Sequence, residues 1–232
     1  MATSGDFSFG ATNERRVAME EEERAAAASV GAAIEAESFA IIDHRLRRRG
    51  LDLARPETAV MRRIIHATAD FSFARTMRFQ PGACAATIAA IRSRRPLLCD
   101  VTMLLHGVTR YDGETLCLVH HPEARALAAR EKITRSSAAL RLLRDRLDGA
   151  IVAIGNAPTA LREILRLAAE PVGPRPAAVV GLPVGFVDAA ESKRDLIASS
   201  LPFISNLGPR GGSPCAAAAI NALIILARES TT

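Results

Sequence analysis

Five short apolar runs, each closed by turn residues and separated by helical stretches, limit what this chain can fold into. They are Pro96–Cys99, Thr115–Val119, Ala150–Ile154, Ala177–Gly181 and Phe203–Asn206. Runs this short, apolar at consecutive positions, predict strands buried on both faces, which requires helices on both sides of one sheet. Helical periodicity falls between them, over Ser136–Leu147, Thr159–Ala169 and Asp188–Ser200. A last helix is predicted with Ser213 as its N-cap and Pro214 at its first position. Strands alternating with helices predict an α/β fold, a doubly wound and mostly parallel sheet with helices on both faces.

Ahead of the first strand the pattern is helical. Phe39, Ile42 and Leu46 share one face of a helix expected to end at Gly50, Pro56 opens a second that reaches Thr68, and a third runs from Cys84 to Arg92. Residues 1 to about 16 are polar and aperiodic, and Glu20–Glu23 followed by Ala25–Ala28 suits a helix start without chemistry. The expected organisation is an N-terminal extension over residues 1–33, partly helical or disordered, and a single α/β domain over residues 34–232.

The formal net charge of +5 suits an anionic partner. Nucleic acid is not expected: the arginines are scattered, and the densest run, Arg45 and Arg47–Arg49, has no interleaved aromatics on which bases could stack. That run reads as a solvated helix end, and a small polyanion is the better match for the surplus charge. No membrane partner is expected, because no stretch is apolar for long enough to span a bilayer. The first residues lack the basic start and apolar run of a signal peptide. Cys84, Cys99, Cys117 and Cys215 show neither CxxC pairing nor a histidine at metal-ligand spacing, so no metal site is expected and the cysteines read as small hydrophobes in a reducing cytoplasm.

In a doubly wound sheet the ligand lies beyond the carboxyl ends of the strands, near the point where strand order reverses. The segments there are Asp100, Thr102, His106, Gly107, Thr109 and Arg110; Gly155–Thr159; Gly181–Phe186; and Pro209–Ser213. Their glycines let backbone amides approach a ligand, and each leads towards a helix start that favours negative charge. None matches GxGxxG or a phosphate loop with its lysine, and no GxSxG elbow is present. His66, late in an amphipathic helix, reads on pattern alone as a structural histidine or a proton donor. His106 lies near a helix end, His120 and His121 are expected in an exposed turn before Pro122, and His44 shares a helix with Asp43. The residue patterns stop at an α/β enzyme or binding protein with an anion-binding rim.

Longer strings carry further. Glu37–Ile42, Pro96–Asp100 running on to His106–Arg110, Ile151–Leu161, and Gly181–Val187 through Ala190–Lys193 resemble the precorrin-8X methylmutase family and its cobalt-precorrin-8 counterpart. So do the shorter strings Ile65–Asp70, Ile133–Ser136, and Gly211–Ser213 leading towards Asn221–Leu223. They occur in the family's order and spacing across roughly Ile34 to Ala227. The resemblance implies a flavodoxin-like fold, a homodimer, and an isomerase that moves a ring-C methyl of a tetrapyrrole to the neighbouring carbon. No cofactor is implied. It casts His66 as the catalytic group that protonates, or hydrogen-bonds, the ring-C nitrogen, since an imidazole exchanges protons near neutral pH. Ser38, Thr109 and Arg135 match substrate-contacting positions, and an arginine there can fork onto a carboxylate. The turns at Asn156 and at Gly211, Gly212 and Ser213 are added as binding elements. The chain departs from the family ahead of Ile34 and over His120–Lys132.

Overall fold

The protein is described here by a computed structural model over residues 29–229. The expectations for residues 1–28, including the Glu-rich helix start, lie outside the described residues. Two compact units divide at Arg45 and Leu46. Helix α1, over residues 29–47, crosses that boundary. It ends as the sequence expects: Leu51 N–H reaches back to the Leu46 carbonyl at 3.2 Å, and Gly50 takes the left-handed conformation that this closure needs. Arg47, Arg48 and Arg49 are exposed, and the Arg49 guanidinium lies 5.3 Å from the Phe71 ring centroid.

The unit from Leu46 onward holds the sheet. Its elements are α2 (Pro56–Thr68), α3 (Phe73–Thr76), β1 (Met77–Phe79), α4 (Ala83–Arg92), β2 (Leu97–Cys99), α5 (Thr102–Gly107), β3 (Thr115–Leu116), α6 (Pro122–Glu131) and α7 (Arg135–Leu142). After a 3-10 turn at Arg144–Arg146 come β4 (Ile151–Ile154), α8 (Pro158–Ala168), β5 (Ala178–Gly181), α9 (Ala189–Ala198), β6 (Phe203–Asn206) and α10 (Ser213–Glu229). The strand order is β1-β6-β5-β4-β2-β3, with every pairing parallel except β1 with β6. Its parallel part is the doubly wound order of flavodoxin-like proteins, and the order reverses between β2 and β4.

Both faces of the sheet are covered, as continuous apolar strands require. Val152, Ile154, Val179 and Phe203 pack with Leu140 of α7, Leu161, Ile164 and Leu167 of α8, and Leu196 of α9. Against the other face lie α4, α5 and α10, with α2 packed on α10. Four consecutive alanines, Ala216–Ala219, let α10 approach its neighbours closely; a Cβ placed on Gly107 of α5 would stand 2.9 Å from that of Ala217. Among the described residues no helix is long and apolar enough to cross a membrane.

Several elements differ from expectation. Strand β1 carries Arg78 at its centre, so its three residues give no apolar run, yet they pair with Ile204–Asn206. Strand β3 is cut to two residues at the sheet edge. The helix expected over Ser136–Leu147 stops at Leu142. Ser213 lies inside α10; Gly212 caps the helix, its carbonyl accepting from Ala216 N–H at 3.1 Å.

Helices α7 and α8 are locked by a buried carboxylate. Glu163, 5% exposed, accepts from Arg141 Nε and Nη2 at 2.8 Å each and from Arg166 Nη2 at 2.7 Å. Burial pushes this carboxyl up, but the two guanidiniums outweigh burial and hold it below the ordinary glutamate value of 4.5. The stabilisation is therefore complete above pH 4.5 and lost as pH falls through the depressed value. Glu163→Gln is expected to cost about 1–3 kcal/mol at neutral pH, with the deficit shrinking below pH 4.5. Denaturant unfolding at pH 7 and at pH 3.5 checks this, and an equal deficit at both would contradict it.

Candidate active site

Where the sheet reverses, one buried carboxylate organises the loops. Asp100, at the end of β2, is fully buried and accepts from the backbone N–H groups of Gly155 at 3.1 Å, Asn156 at 2.8 Å and Ala157 at 2.8 Å. Burial pushes its carboxyl above the ordinary aspartate value, against the pull of those three donors. The glycine turn that the sequence offers to a ligand's anion therefore has its amides engaged by the protein itself. What remains for a ligand is the Asn156 side chain, which is exposed.

The same turn packs on the start of α10. A Cβ on Gly155 would stand 2.7 Å from Ser213 Cα, so only glycine permits this approach. A Cβ on Gly211 would collide with the Leu182 carbonyl oxygen, and Gly212 donates to that same oxygen at 2.8 Å. Gly211 and Gly212 thus bring the chain against the loop after β5 and deliver Ser213 to the reversal point.

Two depressions meet there, sharing Met103 and Ser213. The first, of about 390 Å³, lies between α2, α5 and α10 and is lined by Arg63, His66, Ala67, Gly107, Ala217 and Asn221 among others. Helix α2 supplies two stripes. Val60, Met61, Ile64 and Ile65 are buried, while Arg63, His66 and Ala67, three and four positions apart, line the depression. The second, of about 580 Å³, is lined by Thr102, His120, Thr134, Arg135, Asn156 and Thr159 among others. Thr134 caps α7, accepting from Ser137 N–H at 3.2 Å, and its hydroxyl lies 2.8 Å from that of Thr159. This joins the starts of α7 and α8 and places Arg135, exposed, on the wall.

Of the residues expected from the sequence, His66, Arg135, Asn156 and Ser213 are therefore brought to one continuous surface. Thr109 stands beside it: its N–H donates to Asn221 Oδ1 at 2.8 Å, and Asn221 Nδ2 donates to the Gly107 carbonyl at 2.9 Å. Gly211 and Gly212 are turned to the Leu182 carbonyl, immediately before Ser213. Ser38 lies on α1, in the unit that ends at Arg45. Sequence reasoning missed Arg63, Met103, Asn221 and His120 as lining residues. Arg63 was legible as the position three before His66 on the same helix. His120, set aside as an exposed-turn residue, is exposed but faces the second depression. Among the described residues no group of three His, Cys, Asp or Glu side chains could hold a metal ion.

Comparison with known proteins places the chain among relatives of one family. The profile described as precorrin-8X methylmutase matches residues 33–226. The cobalt-precorrin-8 methylmutase of Methanocaldococcus jannaschii is 42% identical over 173 residues, covering 75% of this chain and 81% of its own. The precorrin-8X methylmutase of a Sinorhizobium species is 43% identical over 202 residues, covering 83% and 93%. A solved structure of the precorrin-8x methyl mutase from Thermus thermophilus has a TM-score of 0.76 at 39% identity, covering 86% of this chain and 100% of that one.

Asp100→Ala leaves three amide donors without their acceptor. Roughly 2–4 kcal/mol of stability should be lost, since an orphaned buried donor costs on the order of 1–3 kcal/mol and the turn can take up water in part. Hydrogen exchange at Gly155, Asn156 and Ala157 should accelerate beyond the global change; exchange at these amides that merely follows global stability would contradict the assigned role.

Proposed function

The chain belongs to the precorrin-8X methylmutase family, and from that premise we propose that the paired depressions seat its tetrapyrrole, with His66 as the group that handles the proton. The enzyme is an isomerase of cobalamin biosynthesis. It shifts the ring-C methyl of precorrin-8X, or of cobalt-precorrin-8, to the neighbouring carbon, giving hydrogenobyrinate or cobyrinate.

The observation that carries the site reading is that Arg63 and His66 line an otherwise largely apolar depression that runs on, past Ser213, into one walled by Arg135 and Asn156. A flat, apolar macrocycle fringed with carboxylates needs that combination: apolar floor, cations and hydrogen-bond donors at the edge. Arg135 forks onto one carboxylate. Asn156, Ser213 and Thr109 offer neutral donors, and Gly211 and Gly212 shape the wall beneath Ser213.

The reaction is intramolecular. The methyl leaves one ring carbon with its bonding pair and forms its new bond to the adjacent one, so nothing enters or departs except a proton. Protonation of the ring-C nitrogen by His66, or a hydrogen bond to it, draws electron density towards that nitrogen and eases the migration; the proton then returns to the imidazole. Holding one tautomer in one orientation is the larger share of the catalysis.

We also propose that the chain works as a homodimer and in the cytoplasm. Phe186 and Val187, in the loop after β5, are 101% and 84% exposed, an apolar tip that a second copy would cover. The four cysteines are all free, as a reducing compartment keeps them. Light scattering should give twice the chain mass, and Phe186→Asp should shift it towards one; a monomeric parent protein would remove the dimer.

The site reading is tested by absorption spectroscopy with the precorrin, with and without cobalt. The parent protein should convert it, whereas His66→Ala should bind it, giving a stable altered spectrum, and lose turnover by about 100-fold or more, the size of a general acid–base contribution. Full turnover in that variant would dismiss His66 from the chemistry.

A further inference from the structure

Among the described residues Lys193 is the largest side chain with no exposed surface at all, and nothing in the reaction as derived uses it. Its Nζ donates to Asn206 Oδ1 at 3.0 Å and to the Arg210 carbonyl at 2.6 Å. No carboxylate is among these partners. A charged group buried without a counter-ion is a standing cost, so its presence asks for a compensating role. Burial lowers its pKa to about 8, with the nearby Cys215 thiol acting the other way.

The contacts indicate what the role is. Asn206, also fully buried, donates through Nδ2 to the Arg210 carbonyl at 2.9 Å and to the Leu207 carbonyl at 3.2 Å. The Arg210 carbonyl therefore takes two donors from below, one from α9 and one from the end of β6. On the far side the Arg210 side chain pairs with Asp70 and donates to Ser72 Oγ at 3.0 Å. Asp70 stands four residues beyond His66, and Ser213 stands three beyond Arg210. One residue thus ties the loop before α10 to the loop after α2, and Lys193 holds that residue by its backbone.

We propose that Lys193 is a positioning residue for the methylmutase reaction, clamping the Arg210 carbonyl so that Ser213 and the His66 end of α2 keep a fixed separation across the first depression. This rests on the reading that the paired depressions seat the tetrapyrrole. Lys193 touches no substrate and exchanges no proton with it. It acts through Arg210, and the glycines at 211 and 212 make such a brace necessary, because they leave the loop no stiffness of its own.

The test is Lys193→Met in the full chain, read by melting temperature, by binding of the isomerised corrin followed in its absorption spectrum, and by kcat and KM. Methionine fills the space and removes the buried charge but leaves Asn206 Oδ1 without its donor, so the two effects offset and the melting temperature should move little. The Kd for the corrin and the KM should rise about tenfold, and kcat/KM should fall by up to about 100-fold, the scale of an ångström-sized misplacement. Lys193→Gln, which keeps a donor for the carbonyl, should recover part of that loss. If Lys193→Met does not accumulate folded, Asn206→Ala removes the second donor while leaving the ammonium, and the same rise in Kd is expected from it. Parent-like Kd and kcat/KM in a folded Lys193→Met would overturn the inference while leaving the site reading intact. Failure of the parent protein to bind the corrin would overturn both.

Discussion

Three backbone amides at the end of one strand converge on a carboxylate at the end of its neighbour, and the functional surface depends on that convergence. Between β2 and β4 the chain departs in opposite directions, which opens a crevice at the edge of an otherwise closed core. Asp100 closes the bottom of that crevice by holding the turn of Gly155, Asn156 and Ala157. With the turn held, Gly155 can lie against the first residue of α10, and α10 can carry its alanine face down between α2, α4 and α5. Both depressions inherit their shape from this contact, since Ser213 and Met103 belong to each.

The division of labour between backbone and side chains follows. A glycine-rich turn at a helix start could bind an anion directly, and the sequence invites that reading at Asn156 and again at Gly211 and Gly212. In the folded chain the first turn is neutralised internally by Asp100, and the second is packed against the Leu182 carbonyl. On the reading proposed above, recognition of a carboxylate-bearing ring falls to side chains on the rim: Arg63, Arg135, Asn156 and Ser213. Asp100 and Lys193 are thus buried ionisable groups of opposite kind serving similar ends: Asp100 accepts from three backbone amides, Lys193 donates to one backbone carbonyl and to Asn206 Oδ1, and each fixes one loop of the crevice.

Much of this was legible in the chain. The apolar runs located β2, β4, β5 and β6 to within a residue, because strands buried on both faces cannot hide their composition. Strand β1 was not legible: an arginine at its centre and an edge position remove the apolar signal, and its pairing with β6 is purely backbone. The short helices α3 and α6 went unseen, and α5 was legible only as the helix end near His106, for a related reason: four to ten residues with few buried side chains give no sustained period. His66 stood out only through resemblance. The pattern puts Arg63 on the same helical stripe, and the fold supplied that this stripe lines a depression. Asp100 was visible as a polar residue after a strand, but its three partners lie more than fifty positions away in sequence.

The central claim, that a macrocycle lies across the reversal point of the sheet with ring C over α2, is tested most directly by a crystal structure of the chain with the isomerised corrin bound. The account predicts the ring spanning both depressions past Ser213, the ring-C nitrogen within hydrogen-bonding reach of His66, and peripheral carboxylates at Arg135 and Asn156. A corrin seated elsewhere, or turned so that ring C faces away from His66, would contradict it.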